Sequence, residues 1–375
     1  MSFYGLVKEE ADKIEINRQR RIEGKYNHIP SPFPNLNKYW PGLIPGDHIL
    51  LTAGTGIGKS RYTLQNFVIW PIDWALSNNY NVQVIFFPLE DSISKIIRRF
   101  IVNRLYVNYG VELKLSELNQ YVETGYLDSK IMELIRQIQE SDYVKKQLGE
   151  RLHLVADAYT PSQMFARVCN IMAKDGEFII DANKIPVGFK SNNGTHWVIV
   201  GDNLNNIIPT EQGSKNEAIL VWCRDYVREI LCNRFQCTVV DVQQQMPTKE
   251  SLSFTNAGIA MIEKLVPSID GLGEAKATSQ TAHVIFGLFS PARYNFMSCP
   301  IGYDTGKLGN FYRHLKILKS NDGEAPVELG LFYDGLTETW REMPKKNDAD
   351  KMDEVYRHIE TLDKKRNPTG QTQIF

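Results

Sequence analysis

Residues 48–60 read HILLTAGTGIGKS, and their reading decides the fold. An apolar run ends in a loop of small residues, and a lysine and a hydroxyl close that loop where a helix can begin. Ala53-Gly54-Thr55-Gly56-Ile57-Gly58-Lys59-Ser60 fits the phosphate-binding loop pattern, with alanine in place of the first glycine. In such a loop, successive backbone N–H groups and the helix N-terminus cradle a nucleotide's phosphates. Glycines let the backbone come that close. Lys59 is expected to reach the β- and γ-phosphates, and the Ser60 hydroxyl to ligate Mg²⁺, so the expected cofactors are ATP and Mg²⁺. A plain glycine-rich turn is the bland alternative, and the strand–loop–helix context argues against it.

The flanking text alternates between two periods. VQVIFFPLE (82–90), RLHLVADA (151–158), THWVIVGDNL (195–204), TVVDVQQQ (238–245) and AHVIFGLF (282–289) read as strands. A helical segment starting at Lys59 precedes the first of these, and others starting at Ser92, Pro161 and Ser214 separate the first four, with a further charged helical stretch over 115–150. Strands alternating with helices predict a mostly parallel α/β sheet covered on both faces. HLKILKS (314–320), PVELGLFYDG (326–335) and TETWREM (337–343) follow as closing strands. Upstream, IPSPFPNLNKYWPGLIPGD (29–47) holds too many prolines for a long helix or a central strand and predicts a connector wrapped onto the main domain. Residues 5–24 have helical composition, heavy charge and thin apolar patterning, so they predict a solvated arm or a helix that packs on something other than its own core. The expected domains are an arm at 1–30, a nucleotide-binding domain at 31–345, and a C-terminal helix and tail at 346–375.

Composition sets limits on partners. The 375 residues carry 43 basic and 44 acidic side chains, a net charge of −1. Such a chain does not advertise nucleic-acid binding through bulk charge, so any polyanion must be met locally or on a surface built from several subunits. The five cysteines fit no zinc spacing and are expected to be reduced structural thiols. No apolar run approaches the roughly 18 residues of a membrane span. The early charge in the N-terminal stretch fits no secretory signal. A soluble protein of the bacterial cytoplasm, or a phage protein in its host, is the expectation.

Three strand ends carry polar residues where an open parallel sheet keeps its ligand groups. Glu90 follows its strand directly and can orient or deprotonate an attacking water; its bland reading is a helix N-terminal acid. Asp202 ends an apolar run, as a Mg²⁺-holding aspartate does, or it marks a simple strand-end turn. Gln243, Gln244 and Gln245 end the third strand, where an amide can sense a γ-phosphate and relay its presence to the following loop, or is merely solvated. That loop, Met246 to Thr281, contains Lys249, Lys264 and Lys276, expected to grip a single-stranded DNA backbone.

In this order, these motifs resemble the RecA-like core of the DnaB-like hexameric replicative helicases, from about Phe33 to about Met343. PNLNKYWPGLIPGDHILLTAGTGIGKS resembles that family's entry to its phosphate loop. FFPLEDS resembles the segment carrying its catalytic glutamate, VIVGDNL its Walker B strand and VVDVQQQ its sensor strand. The resemblance implies a RecA-like P-loop NTPase fold, a twisted, mostly parallel sheet ending in a C-terminal β-hairpin. It implies Glu90 as catalytic base, Asp202 on the metal, and Gln244 as sensor with Gln243 the near miss. It also implies a homo-oligomeric, hexameric ring and single-stranded DNA as partner. LKILKSNDGEAPVELGLFYDG resembles the hairpin from which a lysine and an arginine reach the neighbouring subunit's site. Lys319 is present there, but Asn321 stands at the arginine position. Lys319, helped by Lys316 or Arg313, then does that work, or hydrolysis is slow. Only some forty residues precede the core, so the family's helical collar and primase contact are expected to be absent or supplied by another chain. Two alternatives stay open: a RecA- or KaiC-like ATPase that assembles without unwinding, and a nucleotide-gated assembly protein with slow hydrolysis.

Overall fold

The computed structural model describes residues 2–182, 186–209, 213–246 and 262–366. Its strands are β1 (His48–Ala53), β2 (Val82–Pro88), β3 (Leu152–Leu154), β4 (Gly176–Ile180), β5 (Pro186–Ser191), β6 (His196–Asp202), β7 (Thr238–Gln244), β8 (Val284–Phe289), β9 (Tyr312–Ser320), β10 (Val327–Asp334) and β11 (Thr339–Glu342). Nine of them form one sheet in the order β11-β10-β9-β8-β1-β7-β6-β2-β3. From β3 to β8 neighbouring strands run parallel. From β8 to β11 they run antiparallel, so β9, β10 and β11 close the sheet as a C-terminal meander.

Every residue of β1, β6 and β8 is buried, which is why their sequences are nearly continuous apolar runs rather than alternating ones. One face packs Ile49, Leu51 and Phe286 against the helical run that begins at Lys59 and against helix Ile93–Tyr109. The other packs Ile85, Ile199 and Val239 against helix Pro161–Met172 and the run Lys215–Cys232. Both long runs, 59–77 and 215–232, contain π-helical stretches, at Leu64–Ile69 and Trp222–Cys232. The five cysteines are unpaired, and four of them are buried.

The proline-rich connector joins the first core: Ile29, Phe33, Leu36 and Trp40 are buried in it. Backbone N–H groups of Asn35 and Leu36 donate to the Glu342 carboxylate at 2.9 and 3.2 Å, tying the connector to β11. Helix Phe3–Ile22 buries none of its residues and leaves Phe3, Tyr4, Ile14 and Ile22 exposed. Helix Ala349–Arg366 packs through Met352, Ile359 and Leu362. The β4–β5 hairpin has no counterpart in the sequence reading. It is held through Phe178 and Phe189, which meet Phe235 at 5.2 and 6.3 Å between ring centroids. No helix among the described residues is long and apolar enough to cross a membrane.

Candidate active site

β1, β2, β6 and β7 all end on the same edge, where an open α/β sheet keeps its ligand groups. The loop after β1 turns through Gly56 (φ +71°) and Gly58 (φ +109°), conformations that only glycine adopts without strain. Gly56 also has Arg293 against it: a Cβ there would lie 2.2 Å from a guanidinium nitrogen. Gly58 leads directly into the helical run beginning at Lys59. Lys59 is buried, and its Nζ donates to the Gly54 carbonyl at 3.2 Å, so the ammonium is held within the loop Ala53–Ser60.

Asp202 ends β6, in register with Pro88 of β2. This pairing brings Glu90 alongside it, and the Glu90 N–H donates to the Asp202 carbonyl at 3.2 Å. The Ser60 hydroxyl lies beside the Asp202 carboxylate. Asp202 is only 3 % exposed, and its Oδ1 has no hydrogen-bond partner. Burial pushes its carboxyl up to about 7, against the opposing pull of Ser60 and Lys59. An unpartnered carboxylate oxygen beside a hydroxyl, next to a phosphate-binding type of loop, is a donor set that suits a hard divalent cation. The Glu90 side chain is exposed, faces the cavity and accepts from Asn203 Nδ2 at 3.3 Å.

Gln244 stands in register with Ala53, and its Nε2 donates to the Thr55 hydroxyl at 2.6 Å. Its backbone N–H donates to Asn205 Oδ1 at 2.9 Å. The side chains of Gln243 and Gln245 turn away from the loop, to Leu272, Thr278, Thr52 and Ser268. The structure therefore brings together Ala53–Ser60, Glu90, Asp202 and Gln244.

Two solved structures share this architecture. One, described as an ATPase domain, aligns with a TM-score of 0.63 at 15 % identity, covering 89 % of this chain and 98 % of that one. A DnaB-like replicative helicase, described with its interactions with primase, aligns with a TM-score of 0.62 at 15 % identity, covering 92 % of this chain and 67 % of that one. The fold these structures share with the chain is the RecA-like one. No protein-family model matches the sequence, and no curated protein matches it.

In this RecA-like core the cavity holds more than the sequence motifs named. It measures about 260 Å³ and is lined by Gly56–Arg61, Glu90, Asp91, Lys95, Arg99, Arg313 and Tyr333. Lys95 and Arg99 both pair with Asp91, Arg99 at 2.6 Å. Their four-residue spacing, just after Glu90, is the one local signal that could have flagged them. Arg61 donates to the Tyr333 hydroxyl at 2.6 Å and pairs with Glu338 at 3.3 Å. Tyr333 in turn stacks on Trp340 with ring centroids 4.1 Å apart.

The basic residues of β9 divide. Arg313 serves its own loop: its Nε donates to the Ile57 carbonyl at 2.9 Å, and its guanidinium lies over the Tyr333 ring. Burial lowers its pKa to about 10. Arg313 is thus engaged by the phosphate loop of its own chain. Lys316 pairs with Glu328 at 2.8 Å. Lys319 lies in register with Ile285, near the start of β8 and hence toward the sheet edge opposite the loop. Its Nζ donates to the carbonyls of Ser279 and Ala282 at 2.9 and 2.6 Å, and burial, with Arg228 nearby, lowers its pKa. Of the three lysines expected on DNA, Lys264 and Lys276 are exposed, and Lys276 pairs with Asp270. Lys249 lies outside the described residues.

Proposed function

We propose that this chain is an ATP hydrolase that works as a ring-forming, single-stranded DNA translocase of the replicative-helicase type. The observation that carries the reading is that Lys59, Ser60 and Glu90 line one cavity from separate strand ends, with Asp202 buried beside Ser60. In this reading the loop N–H groups and Lys59 hold the phosphates. Ser60 and Asp202 hold Mg²⁺, which would neutralise charge developing on the phosphate oxygens. Glu90 accepts a proton from the attacking water. The water oxygen bonds to the γ-phosphorus as its bond to the bridging oxygen breaks, and ADP and phosphate leave.

Lys319 lies away from its own loop, so a role in hydrolysis requires a neighbouring copy. This supports a homo-oligomer, and a hexameric ring is the form proposed. Lys249, Lys264 and Lys276 are the proposed DNA contacts, repeated around the ring. A primase or loader on a separate chain, and a cytoplasmic setting, belong to the same reading. One observation favours a slower, switch-like ATPase instead: Lys319 is engaged by its own chain's carbonyls, and Asn321 offers no cation.

Lys59→Ala tests the nucleotide site. A hydrogen bond to a charged group contributes about 1.5–3 kcal/mol, so ATP affinity is expected to fall about 10- to 100-fold. Titration with a fluorescent ATP analogue reads this directly, and unchanged affinity would contradict the assignment of the loop.

A further inference from the structure

The three glutamines at the end of β7, Gln243 and Gln244 within it and Gln245 just after it, face two ways. Successive side chains of a strand point to opposite faces, so Gln244 reaches the loop while Gln243 and Gln245 point away from it. Both outer amides are buried, at 1 % and 4 % exposure. Gln243 Nε2 donates to the Leu272 carbonyl at 3.1 Å, and its Oε1 accepts from the Thr278 hydroxyl at 2.8 Å. Gln245 Nε2 donates to the Thr52 hydroxyl at 2.9 Å and to the Ser268 carbonyl at 3.1 Å. The Met246 N–H donates to the Gly271 carbonyl at 2.8 Å. A Cβ at Gly271 would lie 1.5 Å from Gln245 Oε1, so the backbone of that turn is pressed directly onto the amide.

The surroundings are apolar: Leu50, Leu272, Ala282 and Ile285 pack together on this face. Filling it with leucine or valine would need no hydrogen bonds. Burying two amides is tolerable only because their polar atoms find partners. Those partners join three things: the end of β7, the segment Ser268–Thr278, and Thr52, which precedes the first loop residue Ala53. Apolar contacts are non-directional and can slide. Hydrogen bonds lose strength steeply when distance or angle changes. A strand end tied by such bonds carries its partners with it.

We propose that Gln243 and Gln245 are the coupling residues of this protein. They transmit a displacement of Gln244, on the nucleotide side, to the segment 262–281 on the other face. The proposal rests on the reading that this segment and the residues before it contact single-stranded DNA. Gln244 senses, and its two neighbours convert what it senses into movement of the DNA-gripping segment. They touch no nucleotide, so they act as positioning residues.

The test uses the full chain, with Gln243→Leu, Gln245→Leu and Thr278→Val compared with wild type. Thr278→Val keeps both amides and nearly the same shape, and it covers the case in which a glutamine variant does not fold. Steady-state ATP hydrolysis is measured with and without oligo-dT. Oligo-dT affinity is measured with a non-hydrolysable ATP analogue and with ADP. Coupling between sites is typically about 5- to 150-fold, so DNA stimulation, and the difference in DNA affinity between the two nucleotide states, should fall about fivefold or more. Basal hydrolysis and the KM for ATP should stay at wild-type values. Variants that keep full stimulation would overturn the proposal. So would variants that lose basal and stimulated hydrolysis together, which is the mark of a merely structural role. A wild-type protein indifferent to oligo-dT would instead remove the DNA reading itself, and the proposal with it.

Discussion

Glu90→Gln should lower ATP hydrolysis by about 10²- to 10⁴-fold, the usual contribution of a positioned general base, while leaving ATP affinity unchanged. The carboxylate accepts from Asn203 Nδ2 at 3.3 Å, and a glutamine Oε1 can accept the same bond. What the amide cannot do is take a proton. The competing idea, that Glu90 serves the N-terminus of the following helix, loses ground because Ser92 already fills that place: its Oγ accepts from the Lys95 N–H at 3.3 Å. Phosphate release and equilibrium nucleotide binding, measured on the same preparation, separate the two roles. Full turnover in the variant would remove Glu90 as the base.

Asp202→Asn should abolish Mg²⁺-dependent hydrolysis and yet stabilise the metal-free protein. The Asp202 carboxyl sits at about 7 in the folded chain because it is buried, and near 4 when unfolded. Folding therefore favours its protonated form. That contribution is present in full below about pH 4 and is lost as the pH rises through 7. At pH 8 the wild-type chain must bury a charge whose Oδ1 has no hydrogen-bond partner. Asparagine removes that charge at nearly the same shape. A shift of this size corresponds to about 2–4 kcal/mol at pH 8 and to much less at pH 5. Thermal melts in EDTA at the two pH values read the difference. A variant less stable than wild type at pH 8 would contradict the assignment of Asp202 as a metal ligand held at a cost to the fold.

The parts of this site legible in the sequence are those encoded locally. Ala53–Ser60 carries its loop, its lysine and its hydroxyl within eight consecutive residues. Glu90, Asp202 and Gln244 each follow an apolar strand, so the alternation of periods was enough to send them to one sheet edge. The division of labour among the three glutamines follows from the pleat, but which face meets the loop depends on the register of β7 beside β1. Arg313 reads as a cation of the closing hairpin, and nothing near it in sequence says that it holds Ile57, 256 residues earlier. Tyr333 and Arg61 meet in the same way, across 272 residues. The β4–β5 hairpin escaped because its strands are short and its support is an aromatic cluster assembled with Phe235, far along the chain.

The central claim is a nucleotide cycle coupled to single-stranded DNA. The most direct measurement is steady-state ATP hydrolysis with and without oligo-dT, at a protein concentration high enough for assembly. Mg²⁺-dependent turnover that rises strongly when DNA is added is the predicted result. ATP binding with turnover indifferent to DNA would contradict the claim, and would leave a nucleotide-gated switch in which Asn321 has replaced the reaching arginine.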